Sequence, residues 1–315
     1  MMSGILMLLS CAAAASGGDA AFVLSDDGNA LSVFEQGAPV LVFRYRPAPA
    51  PEGAPDHLTR ACYVHPLYGL DGDVITQDFP EDHLHHRGVF WAWPGSTIGD
   101  RSLDTWLLAE AHPVWERWIE QEAEADRAVV EAESVWVRNA EPDTPCVRER
   151  VRFVVHAKRQ DARAIDITLR LHNPTDEVVT ICGELPAGKG YGGLCIRPDA
   201  RRGPLSFVSA QGTAEEDVLK LETPWAAVQL QPDAQGRKAA VAVFQHPGNP
   251  DYPHPGWIFR HYGFLGASWP HTQPATLEPD AHVELRYRLL ILRDAEQEDL
   301  AARYAAYAAE ATEAP

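Results

Sequence analysis

The sequence predicts an all-β protein: a mostly antiparallel β-sandwich or supersandwich with a short C-terminal helix. Three observations carry that expectation. Short β-type runs recur along the chain, Gly, Pro and Asx residues punctuate them, and strong helical spacing is confined to the end. The 25 prolines point the same way, because a proline inside a helix removes a hydrogen bond and clashes with the preceding turn.

Residues 1–15 (MMSGILMLLSCAAAA) form an apolar run like the h-region of a signal peptide, followed by small residues up to Ala20, although a basic n-region is missing. Leu8-Leu9-Ser10-Cys11 also resembles a bacterial lipobox. Export to the periplasm or the medium, or lipid anchoring, is therefore the expectation, the alternative being a disordered tail on a cytoplasmic protein. Residues 1–20 are set apart as this segment, and residues 21–315 are read as one β-domain, since no repeat or charge run divides them.

Within that domain, residues 30–34 and 40–44 flank the turn Glu35-Gln36-Gly37 and predict a hairpin. A proline-rich surface loop follows at 47–55. Residues 128–138, 147–156, 164–171, 178–182, 225–230, 239–244 and 282–292 alternate as strands do. Residues 299–309 (DLAARYAAYAA) have apolar positions at helical spacing and predict a terminal helix packed on a sheet, with 105–110 as a second, shorter candidate.

Composition removes several function classes. With 27 Lys+Arg against 45 Asp+Glu the chain carries a formal charge of -18, which repels phosphate backbones and anionic lipid, so neither nucleic acid nor a membrane surface is an expected partner. No apolar run reaches the roughly 18–20 residues that span a bilayer. Cys62, Cys146, Cys182 and Cys195 contain no CxxC pair and are expected to be buried free thiols. Oligomeric state is left open.

Polar chemistry concentrates in three segments. The densest is 65–93, HPLYGLDGDVITQDFPEDHLHHRGVFWAW, with His65, His83, His85, His86 and Arg87 among acids and aromatics. If residues 82–90 are extended, His83 and His85 share one face and His86 takes the other. Trp91 and Trp93 would also share a face, either as a platform for a pyranose ring or as a core pair. The second segment, 183–197 (GELPAGKGYGGLCIR), sets Glu184, Lys189 and Tyr191 among glycines; it lacks the spacing and the Ser/Thr of a phosphate loop. The third, 246–271, carries His246, His254, Arg260, His261 and His271 in a Pro/Gly framework. Structural histidines, acid/base or substrate-binding groups, and metal ligands all fit these patterns; no cofactor is expected, and a divalent metal held by His83 and His85 with His246 or His254 is the alternative. His112, His156, His172 and His282 stand alone in strand or helix contexts and are read as structural.

The strings in 65–93, KGYGGLCIRP and HPGNPDYPHPGWIFRHYGFLGASWP, in that order, resemble the bacterial PmoA-like family, a domain of unknown function, over about 65–292. Its label evokes a multi-span methane monooxygenase subunit, and this chain has no such spans. The ending, Ala275-Thr276-Leu277-Glu278-Pro279-Asp280 leading into 282–292, is similar to the last strand of galactose-mutarotase-like supersandwiches, with Asp280 where glycine is usual. That second resemblance implies a carbohydrate ligand and histidine acid/base chemistry with a carboxylate, although such folds also host lyases and non-catalytic members.

The resulting expectation is a carbohydrate-active lyase, hydrolase or isomerase, with a non-catalytic carbohydrate-binding protein or a metal-dependent hydrolase as alternatives. His83, His85, Glu184 and Tyr191 are the expected catalytic residues; Asp78 and Asp82 are further carboxylate candidates for a glycosidase pair. His65, His86, Arg87, Trp91, Trp93, Lys189, His246, Arg260 and His261 are the expected binding residues.

Overall fold

A computed structural model describes residues 21–313. The signal-like segment with Cys11 lies outside the described residues. Among the described residues no helix is long and apolar enough to cross a membrane.

Two antiparallel sheets face each other as the sequence predicts. The first has eight strands in the order Phe22–Asp26, Ala30–Glu35, Ala38–Arg44, Tyr63–Leu67, Val89–Ala92, Gly193–Ile196, Phe264–Ala267 and Trp257–Arg260. The second has nine: Gly212–Ala214, Ser206–Ser209, Trp225–Leu230, Ala239–Gln245, His282–Leu292, Ala162–His172, Glu141–His156, Arg127–Arg138 and Ala111–Ala123. A small third sheet joins Ala275–Leu277, Val179–Ile181, Thr97–Ile98 and Arg101–Ser102. The predicted hairpin forms with Gln36 and Gly37 in left-handed conformations at its turn.

The inner faces build one continuous core, in which Phe43, Trp91, Leu194 and Leu265 from the first sheet meet Phe153, Leu169, Val243 and Leu289 from the second. Long strands of the nine-stranded sheet alternate buried and half-buried residues, as Glu141–His156 does, because much of their outer face meets water. The terminal helix, Gln297–Glu313, covers the rest of that face by packing Leu300, Tyr304 and Tyr307 onto Trp225, Phe244 and Leu290. Short strands of the eight-stranded sheet behave differently: Val89–Ala92, Gly193–Ile196 and Phe264–Ala267 are buried at every position. Their outward residues Phe90, Cys195 and Phe264, with Ile258 of the neighbouring strand Trp257–Arg260, form a second apolar layer under Trp106, Tyr191 and Tyr262.

The four described cysteines are buried free thiols, as expected. Residues 105–110 are not a helix; they form bends in which the Asp104 carboxylate accepts the backbone N–H groups of Trp106 and Leu107.

Candidate functional site

On the outward apolar layer of the eight-stranded sheet lies a cleft of about 170 Å³, lined by His83, His85, His86, Trp106, Lys189, Tyr191, Arg260 and Tyr262. It draws on all three segments singled out in the sequence.

The histidine segment is not extended. After Phe79, which has a positive φ, and Pro80, the chain makes two successive turns, closed by His83 N–H to Pro80 O at 3.0 Å and His86 N–H to His83 O at 2.8 Å. The turns bring the three imidazoles together instead of sending His86 to the opposite face. His83 stacks on His86 with ring centres 4.7 Å apart, and His85 stands edge-on to both at 5.8 and 4.6 Å. Arg87 holds this turn rather than a ligand: its side chain is fully buried, it donates to the carbonyls of Leu84, His86 and Leu58, and it lies over the Phe79 ring and 3.5 Å from the Asp78 carboxylate. The role expected for Arg87 in gripping sugar oxygens is thereby corrected.

Trp91 and Trp93 also change role. They do share a face, but it is the inner one: Trp91 packs on Phe43 and Phe153, and Trp93 on Trp136 with its Nε1–H bonded to Trp269 O at 2.8 Å. Neither reaches the cleft. The aromatic walls there are Trp106, Tyr191 and Tyr262.

The three imidazoles differ electrostatically. Asp82 accepts from Arg197 at 2.7 Å and lies 2.9 Å from His83 Nδ1. Burial alone would raise the Asp82 carboxyl, but the hydrogen bonds from His83 and Arg197 outweigh it and hold the group below its usual range. The carboxylate thus orients His83 through Nδ1 and leaves Nε2 available. His85 has no hydrogen-bond partner among the described residues, and burial, reinforced by His83 and the Arg60, Arg87 and Arg197 charges, pushes its proton affinity down to about 4. Burial drives His86 well below the ordinary value, and its Nδ1 is enclosed without a partner. At neutral pH His85 and His86 are therefore neutral rings.

The opposite wall comes from the glycine-rich loop. Glu184 does not line the cleft; its carboxylate accepts the N–H groups of Ala187 and Lys189 at 2.5 and 2.9 Å and shapes the loop that presents Lys189 and Tyr191. Gly190 is required there, since it has φ +71° and a Cβ on it would lie 2.2 Å from the His271 ring. Arg260 donates to the Tyr191 hydroxyl and, at 2.7 Å, to Asp217, which also holds His261 through its N–H and lies 3.0 Å from its Nδ1. Burial and the neighbouring Tyr191 raise the Tyr262 phenol well above its usual value.

The remaining expected residues lie elsewhere. His65 is half-buried beside Thr76, its proton affinity lowered by burial. His246 sits against Tyr307 in a larger recess of about 250 Å³ beside the terminal helix. A recess of about 390 Å³ flanks that helix too. Most ionic groups in these recesses are paired: Asp166 holds Arg288 and lies against His156, and Arg303 holds Asp161. His254 is buried near His271, so neither proposed third metal ligand reaches His83 and His85. Among the described residues no group of three or more His, Cys, Asp or Glu is placed to hold a metal ion. Asp78 engages Tyr63 and Arg87, so Asp78, Asp82 and Glu184 all have partners and none lines the cleft. Sequence reasoning missed Trp106 as a cleft wall and Arg197 and Asp217 as its supports.

Residues 30–306 match the model of a family described as a family of unknown function, DUF6807. The chain belongs to that family. No curated protein matches the sequence. Among solved structures the chain is similar to galactose 1-epimerase from Lactobacillus acidophilus NCFM, at 10% identity over 87% of this chain and 98% of that one, with a TM-score of 0.44. It is also similar to a mutant of heparan sulfate lyase HepC from Pedobacter heparinus, at 8% identity over 88% of this chain and TM-score 0.40; it spans 36% of the lyase's length.

Proposed function

We propose that this DUF6807 protein is a carbohydrate-active enzyme whose cleft seats one sugar ring and transfers protons through His85 and His83. The observation that carries the reading is that the cleft presents an imidazole, His85, with no hydrogen-bond partner among the described residues, between aromatic walls and next to His86, whose enclosed Nδ1 is also unpartnered. Buried polar atoms are costly to leave unpaired, so a ligand with hydroxyl groups is the complement such a surface favours.

The rings divide the work by their surroundings. His85, neutral with a proton affinity near 4, is the base that takes a proton from the sugar. His83, oriented by Asp82 and with ring centre 5.8 Å from that of His85, is the partner that returns one. Tyr191, which accepts from Arg260, supports the sugar oxygens. No carboxylate lines the cleft among the described residues, so imidazole-based elimination or epimerisation fits this geometry better than a glycosidase carboxylate pair.

Mass-resolved analysis of a glycoside and keto-sugar panel, incubated with wild type and with His85→Ala, tests the proposal. Cleavage without added water, or a new isomer at unchanged mass, is expected and disappears in the variant. Turnover that survives His85→Ala rules out the role given to that ring.

A further inference from the structure

Although the chain is acidic overall, the surroundings of the cleft are rich in cations. Lys189 lines it from the glycine-rich loop, and Arg260 lines it from the end of strand Trp257–Arg260. Behind Trp106 lies Arg60, fully buried, donating to the carbonyls of Thr105 and Trp106 while its Nε has no partner. Arg197, also buried, spends one nitrogen on Asp82 and leaves Nε and Nη1 without partners over the Tyr262 ring.

The counter-charges fall short. Asp82 and Asp217 offset Arg197 and Arg260, and Asp78 offsets Arg87. Arg60 and Lys189 have no carboxylate within ion-pair distance among the described residues; Asp104, the acid just before the Trp106 wall, turns its carboxylate to backbone N–H groups instead. Burial together with the Arg87 charge lowers Arg60 to about 10, while the nearby Asp104 and Glu149 carboxylates act the other way, so it is still a cation at neutral pH and its counter-charges lie inside the protein; the cation of the cleft itself that has no carboxylate is Lys189.

We propose that the sugar bound here carries an acidic group, a carboxylate or a sulfate, which sits between Lys189 and Arg260. This rests on the sugar reading above and narrows it to a substrate class. In a chain of net charge -18, a locally cationic cleft favours an acidic sugar over its neutral counterpart.

The test measures binding by calorimetry for methyl uronides and 6-O-sulfated glycosides, each against its neutral parent, using wild type, Lys189→Gln, Lys189→Arg and Arg170→Gln. Arg170 is an exposed cation on the outer face of the nine-stranded sheet and serves as a control for bulk charge. Wild type is expected to prefer at least one acidic sugar by about tenfold. That ratio should collapse in Lys189→Gln, recover in Lys189→Arg, persist in Arg170→Gln and shrink as salt rises from about 0.05 to 0.5 M. Neutral parents bound as tightly as the acidic sugars overturn the proposal and leave the sugar reading standing. No binding of either kind overturns both. A preference that survives Lys189→Gln, or falls equally in Arg170→Gln, also overturns it.

Discussion

The outer faces of the two sheets use the same residue types for opposite ends. On the nine-stranded sheet Glu133, 1% exposed, receives Arg117, Arg148 and Arg150. Nearby Asp166 holds Arg288 and lies 2.7 Å from His156. On the eight-stranded sheet His85 and Lys189 line a single cleft without partners, and behind its walls His86 Nδ1 and nitrogens of Arg60 and Arg197 are enclosed unpaired. The first arrangement satisfies itself and ties neighbouring strands together; the second leaves groups open to a ligand. Unpartnered groups gathered at one cleft mark a site better than histidine or arginine alone, since isolated unpaired atoms such as Arg138 Nε and Arg286 Nε also occur on the nine-stranded sheet.

Substitutions in the two regions should therefore separate activity from stability. The largest effect belongs to His85→Gln, expected to lower turnover of any sugar substrate by about 10²- to 10⁴-fold while the chain stays folded, because the ring makes no hydrogen bond that folding depends on; kinetics with a parallel denaturation curve check it. Next is the contrast between tryptophans. Trp93→Ala opens the core and should cost about 3–5 kcal/mol, whereas Trp106→Phe keeps most of the buried surface, costs under about 1.5 kcal/mol and shows itself as weaker sugar binding. Glu133→Gln is expected to cost about 1–2 kcal/mol and to leave sugar turnover intact, since its arginines can turn to water. Smallest is Arg152→Gln, which breaks half-exposed pairs with Glu120 and Glu131 and should change stability by less than about 1 kcal/mol.

Acidification sharpens the same contrast. His85, near 4, and His254, near 3, are held below the ordinary 6.5, as is His86, so the unfolded chain takes up protons that the folded chain refuses. Stability is then lost as pH falls from about 6.5 towards 4. Melting curves across that window should slope less steeply in His85→Gln. The acid limb of kcat/KM should lie near pH 4 rather than 6.5, because the base stays unprotonated until then.

How much of this could be read from the sequence follows the same division. Strands Trp225–Leu230 and His282–Leu292 match their predicted bounds to the residue, and the hairpin and terminal helix lie where expected. Continuous apolar runs or one wetted face make such elements legible. Strand Ala111–Ala123 escaped because it is an edge strand whose charged, exposed residues break the alternation. At the site, period-two reasoning failed where turns replace strands. Phe79-Pro80-Glu81-Asp82 carries the turn chemistry that could have warned of it. That same alternation correctly put Trp91 and Trp93 on one face, but which face is inner depends on the opposite sheet. Trp106 and the buried guanidiniums gave no local signal, since their place is set by contacts far along the chain.

The most direct test of the central claim, that the unpartnered histidines are a ligand site, is to follow the imidazole resonances of isotope-labelled histidine while sugars are added. The account predicts that His85 and His86 move together, that His112, His156 and His172 stay still, and that the response is lost in Trp106→Ala and His85→Gln. Binding of a sugar that leaves His85 and His86 unmoved, or that shifts His156 and His246 beside the terminal helix instead, would contradict it.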